Sequence, residues 1–213
     1  MGTLDYQNPR EARSQGRREL WSRLFGVTQE EAWETLAREI NGRVEQGALG
    51  DDRVVAQAGC WQIVLDCTSR ASTRLRAPYI NRDGFRFRIY RASAFDKLGR
   101  GAGLQDVEIG DLPFDERYII QSNNPAKVKL FLQDARLRQL IAACPHVMFE
   151  LKDQADDLFT HRFPQGVDEL FFLAAGTITD IDRLRRMFDL FTETLGRLHE
   201  IGSAADYPPG VVL

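Results

Sequence analysis

Six arginines fall within RLRAPYINRDGFRFRIYR, residues 74–91: Arg74, Arg76, Arg82, Arg86, Arg88 and Arg91. A guanidinium is a planar fork that can grip a phosphate or carboxylate in two places, and an aromatic ring beside it can stack on a base. In a strand, residues of equal parity share a face, so Arg86, Arg88 and Tyr90 stand opposite Phe85, Phe87 and Ile89. Arg74 and Arg76 stand opposite Leu75 and Ala77 in the same way. If residues 73–80 and 85–91 pair across the turn Asn81-Arg82-Asp83-Gly84, then Arg74, Arg76, Arg86, Arg88 and Tyr90 make one face. That face is the candidate polyanion-binding site, the arginines as forks and the tyrosine as a stacking surface.

The charge distribution supplies a competing use for the same arginines. Residues 70–91 carry a balance of +6 in a chain of net charge -3, so the remainder carries -9. The following segment, 95–116, has a balance of -4. Within it Asp106 and Glu108 share parity, and on a neighbouring strand they would face Arg86 and Arg88. Cross-strand ion pairs of this kind contribute roughly 0.2–1 kcal/mol each, and charged strands commonly serve as solvated faces or edge guards.

Other reactive residue types have weaker spacing. Gly99, Gly101 and Gly103 lead into a strand-like segment rather than a helix, which suits a connection and not a phosphate cradle. Cys144, His146 and His161 lack zinc spacing, Asp156-Asp157 sits in a polar stretch, and His199 adjoins the apolar Leu198 of a helix. No GxSxG, HExxH or CxxC occurs. The sequence therefore assigns no catalytic residue, no metal ligand and no cofactor, and it carries no mark of an enzyme.

The elements that must position the arginines follow from periodicity. Trp61, Ile63, Leu65 and Cys67 alternate with polar residues as a half-buried strand does. Residues 106–110, 117–122, 147–152, 158–163 and 169–176 are strand-like too. Helices are predicted from Pro9 to Phe25 and from Thr28, where Thr28 and Glu31 form a capping box and Trp33, Leu36, Ile40 and Val44 make the stripe. Asn124-Pro125, Asp134 and Asp180 open three more. The last runs over 180–201 with Leu184, Phe188, Phe191, Leu195 and Leu198 inward. PheAspGluArgTyrIleIle (114–120) and ValAspGluLeuPhePheLeu (167–173) echo one another before capped helices, which points to a duplicated strands-then-helix unit.

A chain of 213 residues with 43% hydrophobic and 28% charged residues suits a soluble globular protein. It contains no apolar run long enough to span a membrane, and its first twenty residues hold no apolar signal region. Three cysteines in no framework suit a reducing compartment, so a cytoplasmic location is expected. The expected organisation is an N-terminal arm or helix (1–27), one α+β domain (28–202) and a loose tail (203–213). The domain is read as an antiparallel sheet of six to eight strands with helices on one face.

Several stretches resemble a group of bacterial proteins that share a domain of unknown function. They are ThrArgLeuArgAlaProTyr (73–79), AspGlyPheArgPheArgIleTyrArg (83–91), GlnAspValGluIleGly (105–110), PheAspGluArgTyrIleIle (114–120), AspGluLeuPhePhe (168–172) and IleGlySerAla (201–204). The resemblance covers about two thirds of the chain and implies a folded bacterial domain, with no activity, cofactor or site residue attached.

The reading that follows is a non-enzymatic binding or interaction module whose partner is a polyanion or another protein. The alternative is a small-molecule binder or enzyme with a cavity between the sheet and the 180–201 helix, lined by Phe171, Phe188 or Phe191. A homo-oligomeric scaffold built through residues 1–27 is the third.

Overall fold

The computed structural model describes residues 27–47, 51–69, 72–91, 103–144, 148–153, 163–211 and 213. The helix expected over 9–25, most of the glycine-rich connection, His146, Asp156, Asp157, His161 and the greater part of the 158–163 strand lie outside the described residues.

Among the described residues, nine strands form one antiparallel sheet: β1 (Arg43–Gln46), β2 (Asp52–Ala58), β3 (Trp61–Ser69), β4 (Ser72–Ile80), β5 (Phe87–Arg91), β6 (Gln105–Asp106), β7 (Tyr118–Ser122), β8 (Met148–Lys152) and β9 (Val167–Ala175). Their spatial order is β1-β2-β3-β4-β9-β8-β5-β7-β6. Five helices accompany them among the described residues: α1 (Gln29–Glu39), α2 (Leu112–Asp115), α3 (Pro125–Phe131), α4 (Ala135–Ala143) and α5 (Ile181–Glu200). The α+β class is as the sequence implies.

The caps sit where their chemistry places them. Thr28 and Glu31 close a capping box on α1, and the side chains of Asn124, Asp134 and Asp180 accept from the first amides of α3, α4 and α5. Helix α1 is shorter than the apolar stripe suggests. It ends at Glu39, Asn41 takes a left-handed φ of 52°, and Val44 belongs to β1 instead. A Cβ at Gly42 would lie 2.7 Å from the Val55 carbonyl oxygen, so glycine lets the chain turn tightly onto β2.

Strand parity sorts the sheet into two faces. On the inner face a row of cross-strand neighbours runs Val44, Val54, Leu65, Leu75, Phe172, Phe149, Ile89, Ile120. The helices cover this face. Phe191 of α5 meets Phe149 and Phe172 with ring centroids 6.4 and 6.5 Å apart, and Phe131 of α3 stacks on Phe87 at 4.9 Å. Trp33 and Leu36 of α1 are buried in the same core. Each fully buried Leu or Phe contributes about 1.5–3 kcal/mol, so this face carries the fold's main apolar gain.

Strands β4 and β5 do not form the expected hairpin, because β9 and β8 lie between them. The 81–84 segment is anchored sideways rather than folded into a two-strand turn. Asn81 donates from its backbone to the Gly166 carbonyl and from Nδ2 to Asp168 Oδ2 (2.5 Å) and the Phe85 carbonyl, while Arg82 N–H donates to the Ser203 carbonyl. Six residues, 81–86, can reach about 20 Å when extended, and crossing two intervening strands needs only ~14 Å. The 203–213 stretch, read from sequence as a loose tail, opens with the buried Ser203, Ala204 and Ala205 and ends with Leu213 packed on Val55 and Val64.

Candidate functional site: the outer sheet face and the edge trough

The outer face has its own row across all nine strands: Arg43, Val55, Val64, Arg76, Phe171, Glu150, Arg88, Gln121, Asp106. Arg74, Arg76, Arg88 and Tyr90 do share this face, as parity requires. They are split into two groups by β9 and β8, which bring Glu169 and Glu150 as counter-charges, while β3 brings Asp66.

Arg74 grips Asp66 with a two-point fork, Nε to Oδ1 at 2.6 Å and Nη2 to Oδ2 at 2.9 Å. Arg76 shares the same carboxylate at 2.8 Å and approaches Glu169 at 3.7 Å. Burial pushes the Glu169 carboxyl up, against the opposing pull of Arg76, Lys152 and Arg74. Arg88 Nε donates to Glu150 Oε2 at 2.6 Å, and Lys152 stands 3.7 Å from the other oxygen of that carboxylate. Lys152 also sits 3.6 Å above the centre of the Phe171 ring. Arg86 precedes β5 and pairs with Asp153.

These are not open forks. The Arg74, Arg76 and Arg88 side chains are 18%, 11% and 15% exposed, and Glu150 is 3% exposed. Tyr90 is fully buried, in register with Ile119, and presents no ring for stacking. The carboxylates expected to meet Arg86 and Arg88 are placed elsewhere. Asp106 on β6 is separated from Arg88 by β7 and accepts from Gln121 Nε2 at 2.9 Å, and Glu108 is exposed beyond the end of β6.

The rival cavity residues are likewise divided. Phe171 lies on the outer face under Lys152, while Phe188 and Phe191 are buried on the inner face. Among the described residues, no three His, Cys, Asp or Glu are grouped to hold a metal, and no helix is long and apolar enough to cross a membrane. Cys144 is fully buried and its thiol is pushed up to about 12 by burial, far from a reactive thiolate.

Among the described residues, concave surface is found at the β6–β7 end of the sheet. A trough of about 570 Å³ runs along it, with Val107, Tyr118, Ile119 and Ile120 as apolar floor and Asp106, Glu108 and Asp115 against Lys129 as charged lining. Asp115 is already fixed, accepting from the amides of Ile109 and Gly110. A smaller cleft of about 250 Å³ lies between α2 and α4 and shares Tyr118 with the trough, and Leu112 (73% exposed) stands between Asp111 and Pro113 of its lining. Sequence reasoning missed this corner because β6 is two residues long, and after Val107, whose N–H still donates to the Ile120 carbonyl, Glu108 and Ile109 leave the ladder where alternation predicts that they continue it.

No family model matches the chain, and no curated protein matches it. Among solved structures, the chain is similar to the crystal structure of the mycobacterial trehalose monomycolate transport factor A, TtfA. The two share 12% identity over 86% of this chain and 98% of that one, with a TM-score of 0.48. At that identity and score the likeness bears on neither ligand nor partner.

Proposed function

We propose that this protein is a binding module that docks an extended, basic segment of a partner protein in the β6–β7 trough. The carrying observation is the trough itself: an apolar floor at a sheet edge, with three carboxylates against one lysine. An extended basic segment with interspersed apolar residues fits both features, its apolar side chains toward Val107 and Ile119 and its basic ones toward Asp106 and Glu108. The arginines of the outer face act in this reading as a scaffold that keeps the sheet rigid behind the trough.

A fluorescent nonapeptide of alternating Lys and Val is the probe. It is expected to bind with an affinity that falls as salt rises, and to bind at least tenfold more weakly to Asp106→Lys/Glu108→Lys. Equal binding by that variant would exclude the trough. The polyanion reading of Arg74, Arg76, Arg86, Arg88 and Tyr90 requires at least one of their ion pairs to open. It predicts salt-sensitive binding of single-stranded DNA or anionic vesicles that Arg86→Ala/Arg88→Ala abolishes.

A further inference from the structure

We infer that β1 is a self-pairing edge through which two copies of this chain join their sheets about a two-fold axis. Strand β1 closes one end of the sheet and pairs only with β2 among the described strands. The β1–β2 loop fixes which of its backbone groups are spent. Gly47 N–H donates to the Asp51 carbonyl at 2.7 Å, so in the alternating antiparallel ladder Gly47, Glu45 and Arg43 turn toward β2. The N–H and C=O of Val44 and Gln46 therefore point away from the sheet, ready to pair with another strand.

The side chains are self-complementary under one register. With Val44 opposite Val44 of a second copy, the two valines exchange both backbone hydrogen bonds. Each Arg43 then stands opposite the other copy's Glu45, in the closely spaced pair where side chains interact most strongly. Val44 is 38% exposed, and covering it removes one of the few large apolar side chains left open to water. Within one chain Arg43 reaches Glu45 at 2.5 Å and Arg53 reaches it at 3.0 Å, which holds the Glu45 carboxyl below its ordinary range. The glutamate is thus kept ionised and aligned on the outer face. A single four-residue strand pair buries little area, so the expected dimer is weak, forming at tens of micromolar or above.

Sedimentation velocity on the full chain tests this. Wild type is expected to shift from monomer toward dimer with concentration. Arg43→Glu places glutamates opposite one another and Glu45→Arg does the same with arginines, so each alone should weaken dimerisation at least tenfold. Mixing the two variants in equal amounts should restore the dimer, because every cross-seam pair is then complementary. Val44→Pro removes the outward N–H without touching the β1–β2 bonds and should also give monomer. A wild type that is monomeric at all concentrations, variants that dimerise as well as wild type, or a mixture that fails to reassociate while both variants remain folded by circular dichroism, would overturn the proposal.

Discussion

Exchanging Arg88 for methionine separates a structural arginine from a ligand-binding one. Arg88 is held 2.6 Å from Glu150, whose side chain is 3% exposed, and Lys152 stands 3.7 Å from the same carboxylate. Removing the arginine takes the 2.6 Å partner from a buried charge and leaves Lys152 at longer range. Breaking such a pair costs 3–5 kcal/mol in general; with Lys152 compensating in part, the lower end applies, about 3 kcal/mol. Replacing both partners, as in Arg88→Met/Glu150→Met, removes the stranded charge and is expected to return stability to within about 1 kcal/mol of wild type. Urea denaturation followed by circular dichroism measures both, with the midpoint shifting and the slope unchanged. If Arg88→Met were as stable as wild type, the pair would not be holding the face together and the scaffold argument would fail.

Further predictions follow from single sites. Asp134→Ala removes the acceptor for the amides of Arg136 and Leu137 and should cost about 1 kcal/mol in the same denaturation assay. Gly42→Ala forces a methyl group to 2.7 Å from the Val55 carbonyl oxygen and should lower stability by roughly 1–3 kcal/mol, with a matching drop in melting temperature. Cys144 gives a pH signature: its thiol is raised from about 9 to about 12, so the native protein keeps a proton that the unfolded chain releases. Its contribution is complete below about pH 9 and declines by roughly 1.4 kcal/mol per pH unit toward pH 12. Cys144→Ala should flatten that decline while leaving the separate alkaline loss from Tyr79, whose hydroxyl is also raised by burial.

Local chemistry was readable in the sequence wherever a few neighbouring residues decide it. Asn124-Pro125 and Asp180 mark the starts of α3 and α5, and the parity of Phe85, Phe87 and Ile89 against Arg88 and Tyr90 gives their faces correctly. Pairing was not readable, because parity gives the face of a strand and not its neighbour. The strands that enter between β4 and β5 come from residues 148–152 and 167–175, far along the chain. With them come Glu150 and Glu169, while Asp66 arrives from the opposite side on β3. Glu150 stands between the buried Phe149 and Leu151, so the signal for an acidic outer-face position was present there without any indication of which arginine it would meet. Val44 misled for a related reason. It lies four residues after Ile40, a helical spacing, yet Asn41 and Gly42 turn the chain between them.

Backbone amide shifts, followed by nuclear magnetic resonance during titration with the Lys/Val nonapeptide, test the account most directly. The shifts are expected to concentrate at Val107, Glu108, Tyr118, Ile119, Ile120 and Lys129, with Arg74, Arg76, Arg86 and Arg88 unmoved. Shifts centred on those four arginines, produced by the peptide or by a single-stranded oligonucleotide in its place, would contradict it.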